Sequence, residues 1–551
     1  MARGPRKPPG SAGFSLLPAV LPGLAVGGAL FLGAMEANQW GTDRVPPQKL
    51  LQEYRSSPAS GVSDGRDAVP QTIHVPATAG GTWTPTAAMR RGQAMGAAWD
   101  LYHQGRYAEA AAAFETLYRA QPDANSADGL YYSLQHLGDD LRVATLGADL
   151  GGPLWDKWRS AEAETLESRK QFAAAEDLYP AVDPVLKHYT APSIDTGLSF
   201  REKSGDPGSS RFRKIVSPEV EGVFYATPVD RISIDAERVT LESDGLAPGQ
   251  AIGRFPGGGA YAFRPTEDFE DLATFHVRWQ REGMLSPYAE LSTTPIGTAG
   301  TPAAVPTGKL GFVKQEKNGY WSLEASGQPV EESLLSYTGI TDPYGGGSWG
   351  RVVDIGGTAK GYLGLGSGWG LYAEGHTGWN VGENVEPDFH VSSSLSLAKS
   401  LPIPGFDYFT VGPGFLMEHY EKNLSHFTYG QGGYFSPALL TEGVAGVNFL
   451  TREGRPYVVQ GGFNAGVQAN HQDASPFFPL HPDGRSFGND DNTSFVFSAK
   501  VNSVFLIASQ WEVGAYAGYA KSADYNDFQG GLMIRFLFER RSAAFSTDLP
   551  R

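Results

Sequence analysis

From residue 194 onward the apolar residues recur with period two, across roughly 350 residues and with no helical period intervening. Residues 495–502 set Phe495, Phe497, Ala499 and Val501 against Val496, Ser498, Lys500 and Asn502. Residues 511–519 set Trp511, Val513, Ala515, Ala517 and Tyr519 against Glu512, Gly514, Tyr516 and Gly518. Residues 532–538 set Leu532, Ile534, Phe536 and Phe538 against Met533, Arg535 and Leu537, and an earlier run sets Ile232, Ile234 and Ala236 against Ser233, Asp235 and Glu237. Successive side chains of a strand point to opposite faces, so each run lies between a greasy and a wet environment. A soluble sandwich gives the same alternation, and other features must choose.

The N-terminus supplies one. Arg3, Arg6 and Lys7 precede an uncharged apolar stretch over 14–33, and the small residues Ala34 and Ala37 follow. That order is a secretory leader, 1–37, cleaved near Ala37, with an uncleaved inner-membrane anchor as the alternative. It is the only long apolar run in the chain, so any other passage through lipid must be made by a closed barrel, where strands satisfy every backbone group. A charge on the lipid face of such a barrel costs about 2–4 kcal/mol at the midplane. Lys500, Glu512 and Arg535 all fall on the opposite, lumen register. At about 22 residues per strand with its share of loop, the region yields on the order of 16 strands, enough to enclose an aqueous channel. The 70 glycines, with 12% aromatic and only 19% charged residues, suit short strands and turns. The absence of cysteine removes disulfides and thiolate chemistry, and the net charge of -16 argues against a nucleic-acid partner.

Residues 38–90 are rich in Pro, Ser, Gly and Thr and are expected to be linker. Over 91–185 the pattern is helical. Ala94, Ala98, Leu101, Gly105, Tyr107, Ala110, Phe114, Leu117 and Pro122 fall at the offsets of a tetratricopeptide repeat, with Gly105 in the turn, Tyr107, Ala110 and Phe114 packing between helices, and Pro122 after the second helix. A 33-residue step carries Gly105 onto Gly138, and a 65-residue step carries Tyr107, Ala110 and Phe114 onto Phe172, Ala175 and Tyr179. An ordinary helical hairpin with an alanine-rich core is the alternative. The expected architecture is mainly β: an outer-membrane antiparallel β-barrel over 190–551 behind a short helical module.

No catalytic constellation emerges, and the chain is expected not to be an enzyme and to carry no metal or cofactor. Residues 346–350 match G-x-S-x-G, but a nucleophile elbow needs a helix after the serine, and strand-like residues follow here. The 11 histidines show no metal-ligand spacing and read as scattered surface or loop residues. Glu331 and Glu332 read as a solvated loop rather than a glycosidase pair, which must flank a scissile bond at a set separation. In 423–437, Gly430, Gly432 and Gly433 permit tight backbone, and Phe427, Tyr429, Tyr434 and Phe435 supply rings around Gln431. The segment is either an inward-folded loop that narrows a pore and stacks on sugar rings, or a turn whose aromatics join the interfacial girdle; for Phe435 the girdle is expected. Lumen contacts are expected from Tyr429, Gln431, Tyr434, Trp349, Glu512, Tyr516, Asn502 and His376.

Five stretches carry a specific resemblance: R-E-K-S-G-D-P-G-S-S-R-F at 201–212, S-T-T-P-I-G at 292–297, L-L-S-Y-T-G-I-T-D-P-Y-G-G-G-S-W-G at 334–350, N-V-G-E-N-V at 380–385, and Y-E-K-N-L-S-H-F-T-Y-G-Q-G-G-Y-F-S-P at 420–437. With tetratricopeptide-like repeats ahead of them, they resemble the C-terminal outer-membrane barrel of the C component of bacterial cellulose synthase, the family of exporters in that system. The resemblance implies a 16-stranded barrel exporting a glucan chain, most naturally cellulose, and repeats reaching toward the inner-membrane cellulose synthase complex. The family usually carries a long repeat array, whereas this chain offers about three helix pairs. The linker, another protein or peptidoglycan contacts must then complete the bridge. The competing expectation is a scaffold, in which the barrel anchors repeats that recruit partners.

Overall fold

In a computed structural model the described residues are 86–169, 171–179, 190–205, 209–243, 250–254, 269–298, 301–342, 344, 347–522 and 525–550. The expected leader, and the linker as far as residue 85, lie outside them. Six helices come first: α1 Ala87–His103, α2 Tyr107–Ala120, α3 Ala124–His136, α4 Asp140–Leu150, α5 Gly152–Ser168 and α6 Phe172–Leu178. Helix α1 thus begins four residues inside the stretch read as linker. Its N-cap is Thr86, whose hydroxyl accepts from Met89 N, and Asp123 caps α3 in the same way. Gly105 and Gly138 take positive φ in the turns between paired helices, where glycine meets no Cβ penalty. Ala110 and Phe114 are fully buried, and Tyr107 stacks on His136 of α3 at 4.3 Å. Tyr118 Oη donates to Gly151 O at 2.6 Å and accepts from Leu154 N at 3.0 Å, pinning the third pair to the first.

Sixteen long strands follow. They are β1 Ser193–Gly205, β2 Ser209–Thr227, β3 Asp230–Ser243, β4 Phe269–Arg281, β5 Leu285–Thr293, β6 Pro306–Glu316, β7 Gly319–Pro329 and β8 Ser348–Gly366. Then come β9 Trp369–Glu383, β10 Asp388–Ser400, β11 Phe406–Tyr420, β12 Leu439–Thr451, β13 Tyr457–Gln472, β14 Asp490–Ala508, β15 Trp511–Lys521 and β16 Tyr525–Leu537. Each pairs antiparallel with its neighbour in sequence, and β16 pairs with β1 from Ser193↔Leu537 to Gly205↔Tyr525. The sheet closes on itself and leaves no edge to pair with another chain.

The period-two registers sort as expected. Phe495, Val501, Trp511, Leu532, Ile534 and Phe538 are exposed on the outside, whereas Val496, Asn502, Glu512, Arg535 and Leu537 are buried within. An apolar outer wall on an edgeless barrel is stable only in lipid, which places the protein in the outer membrane. Connections at one end are two to five residues long, among them 228–229, 367–368 and 509–510, with Trp369, Tyr457 and Trp511 exposed beside them. At the other end run the long connections 330–347, 421–438 and 473–489. Outer-membrane barrels keep short turns on the periplasmic side. The helical module stands at that end, where Phe172 N donates to Glu282 Oε2 at 3.1 Å in the β4–β5 turn.

Candidate functional site

The inward registers of β1 and β6–β16 surround a cavity of about 620 Å³. Its wall mixes Lys309, Lys500, Glu324, Glu374 and Glu442 with Gln468, Asn464 and Ser392, a polar surface of both signs that water wets. His376 and Tyr516 line it. Tyr420, Glu418, Tyr525 and Asp527 line it too, and the sequence reading missed them. Glu418 and Tyr420 share a register with Leu416 in β11, so extending period two through 416–420 would have found them.

The outer mouth is filled by the chain's own loops. A cluster of buried apolar residues joins Leu334, Leu335 and Tyr337 of the β7–β8 loop to Leu424, Phe427, Tyr429 and Tyr434 of the β11–β12 loop and to Trp349 of β8. Segment 423–437 is held by its own backbone, with Gly432 N and Gly433 N both donating to Leu424 O at 3.1 and 3.0 Å. Ser333 Oγ donates to Gly433 O at 2.6 Å, and Gln431 Nε2 donates to Ser475 Oγ and Pro476 O at 2.8 and 2.9 Å. Tyr434 Oη donates to Asp388 Oδ2 at 3.2 Å, and burial raises its pKa well above the usual phenol value. Trp349, Tyr429 and Gln431 therefore lie inside the loop plug, while Tyr434 reaches the cavity. Phe435 does not join the girdle: it is buried against Leu416 and Leu440 and faces the cavity, because the loop folds inward rather than over the rim.

Glu331 and Glu332 are not free in a solvated loop either: both carboxylates are ion-paired to the barrel wall. Lys214 Nζ donates to Glu331 at 3.0 Å, Glu332 pairs with Lys203, and Arg201 Nη1 donates to Glu331 O at 2.8 Å. Burial works against the Glu331 carboxylate, but the charges of Lys214 and Arg201 more than offset it, and its pKa lies below the ordinary value. These pairs latch the β7–β8 loop to the wall. Nor are all histidines scattered on surfaces or loops: His376 and His390 face inward on adjacent strands beside Asp354. Their spacing is set by strand pairing, which no linear motif encodes.

The inner mouth is occupied by the tail, 538–550. Ala544 and Leu549 pack on Leu450, Val458 and Val504 of the inner wall. Arg541 Nη1 donates to Asp548 Oδ1 at 2.6 Å, and Asn502 Nδ2 donates to Pro550 O at 3.3 Å. Glu512 is fully buried here, with Arg535 Nη1 at 3.3 Å and Arg541 Nη1 at 3.7 Å. Glu512 and Asn502, expected to touch the lumen, are covered by the tail instead.

The profile of the family described as cellulose synthase operon protein C C-terminus matches residues 215–539. The chain belongs to this family. A cellulose synthase operon protein C from Xanthomonas axonopodis pv. citri (strain 306) is 30% identical over 299 residues, 49% of this chain and 19% of the relative. One from Komagataeibacter xylinus is 27% identical over 315 residues, 54% of this chain and 24% of the relative. The chain thus spans a quarter or less of the length of these two family members. Among solved structures, one described as a bacterial polysaccharide outer membrane secretin aligns with 62% of this chain and 98% of its own at 11% identity and a TM-score of 0.39.

Proposed function

We propose that this family member is an outer-membrane conduit for an exopolysaccharide, with cellulose, a β-1,4-glucan, as the favoured polymer. The single observation that carries the reading is the wet cavity: its wall mixes hydroxyl-bonding and ring-bearing side chains of both charges. Glucan edges are rich in hydroxyls and their faces are apolar. Tyr420, Tyr434, Tyr516 and Tyr525 offer amphipathic rings, while Asn464, Gln468 and Ser392 offer hydrogen bonds. The work of export comes from polymerisation at the inner-membrane cellulose synthase complex, since the outer membrane holds no nucleotide. The helices, on the periplasmic side, meet that complex directly, through another protein, or on peptidoglycan.

A scaffold reading gains from one observation: both mouths are filled by the chain itself. For a conduit, the plug and the tail are gates that move during export. Secreted and cell-retained glucan would be measured in cells whose copy of this chain is deleted, then restored with the full chain or with one lacking 87–178. Polymer retained without the chain and released with it supports the conduit. Undiminished secretion in the deletion strain overturns it. Rescue only by the chain with its helices assigns them the recruiting role.

A further inference from the structure

We propose that Asp354 of β8, His376 of β9 and His390 of β10 form a divalent-cation site of the zinc class in the lumen wall, with its open face on the cavity. The three residues come from successive strands at one level of the barrel. Asp354 Oδ2 lies 2.9 Å from His376 Nε2, and Asp354 Oδ1 lies 2.9 Å from His390 Nε2. One donor atom from each of the three lies within 4.8 Å of the others. Two imidazoles and one carboxylate make a donor set that borderline metals prefer over the hard cations, which want oxygen alone.

The point on which these atoms converge is kept open by Gly378, cross-strand partner of His390. A Cβ on Gly378 would sit 2.9 Å from His376 Nε2, 3.0 Å from His390 Nε2 and closer still to Asp354 Oδ1. Any other residue would fill the space. A cation held tetrahedrally at ligand distances of about 2.0–2.2 Å sets its donor atoms roughly 3.4 Å apart, so the Asp354–histidine contacts of 2.9 Å would open by about half an ångström to admit it.

The rings are also held in place from behind. His376 Nδ1 lies 3.0 Å from Thr358 Oγ1, its cross-strand neighbour, which fixes the ring and leaves Nε2 for the centre. His390 stacks on Tyr420 at 4.9 Å with 7° between planes. Its Nδ1 is buried with no hydrogen-bond partner among the described residues, so Nε2 is the nitrogen the fold puts to use. Asp354, His376 and His390 all line the cavity, and a fourth ligand position opens onto it for water or a hydroxyl oxygen. A cation here ties three strands beside Tyr420 and adds positive charge to the wall.

The full chain in detergent would be stripped with a chelator, titrated with Zn²⁺ by calorimetry, and assayed for bound metal after dialysis. Co²⁺ would report ligand geometry through its visible absorption. His376→Ala, His390→Ala and Gly378→Ala should each weaken zinc affinity about tenfold or more, as loss of a ligand or of its support does elsewhere. Heat-modifiable gel mobility would confirm that each variant keeps its barrel, and His390→Gln replaces any that does not. His276→Ala is the control, because Asp235, Glu237 and His276 form a second cluster of possible ligands. One equivalent of zinc lost in the His376 and His390 variants and kept in the His276 variant supports the site. No zinc uptake by the wild type, uptake unchanged in the His376 and His390 variants, or loss only with His276→Ala overturns it.

Discussion

Arg535 in the last strand stands directly opposite Asp195 in the first, and its Nε and Nη2 donate to the two carboxylate oxygens at 2.8 and 2.6 Å. The same guanidinium reaches Glu512 at 3.3 Å and Asp548 O at 2.9 Å, so one side chain joins the closing seam to the tail. Removing one partner of a buried pair leaves an uncompensated charge, at a cost of about 3–5 kcal/mol. Arg535→Met should therefore lower the temperature at which the barrel loses its unboiled gel mobility, and Asp195→Asn should lower it less, since a hydrogen-bonding group remains. Equal mobility transitions in wild type and Arg535→Met would show that the pair does not hold the seam.

The loop plug and the tail act as two resistances in series. Deleting 541–551 opens only the inner mouth, and deleting 428–437 opens only the outer one. In planar bilayers each deletion should raise single-channel conductance modestly, and the two together should raise it well beyond their sum. Full conductance from either deletion alone would mean that the other segment is no barrier.

Gly433 takes φ +65°, and a Cβ there would meet Leu335 and Ser333 Oγ at 2.9 Å. Gly433→Ala should strain the backbone and push the plug off the β7–β8 loop, at a cost of about 1–3 kcal/mol. Faster protease cleavage within 421–438 on intact cells, with unchanged barrel mobility, is the expected result.

Glu453, in the β12–β13 turn, is buried beneath the tail and accepts from Ser546 N at 2.5 Å. Burial, with Asp407 and Asp548 near, pushes its pKa from 4.5 up to about 7. The docked state therefore binds the proton more tightly than the undocked one. Docking is strongest below pH 4.5 and weakens as pH rises to about 7, beyond which the loss is complete. Cleavage at Arg541, scored with a protease active across this range, should increase from acid to neutral pH in the wild type. Glu453→Gln, which cannot ionise, should flatten the profile.

Phe114 is fully buried among Ala110, Leu130 and Leu134. Phe114→Ala should cost the helical module about 3–5 kcal/mol while leaving the barrel untouched. Loss of helical circular dichroism at lower temperature, with the β signal unmoved, checks this.

The sequence by itself determined the strands, because period two records which medium each face meets, and the secretory N-terminus together with Lys500, Glu512 and Arg535 on one register turned those strands into a barrel, since lipid tolerates only apolar residues on its face. It likewise marked the helix turns, where Gly105 and Gly138 stand at repeat spacing. It did not determine what fills the lumen. Tyr429 and Gln431 have the chemistry of solvated loops, and only the folding of several connections onto one another buries them. The tail shows no periodicity, and its place is decided by Arg535, Glu512 and Asn502 on strands that pair without it. His376, His390 and Asp354 are brought together by register alone. Alternation reports which medium each face meets, but contacts such as Ser333 with Gly433 and Arg201 with Glu331 join residues 100 and 130 positions apart, and no local pattern encodes them.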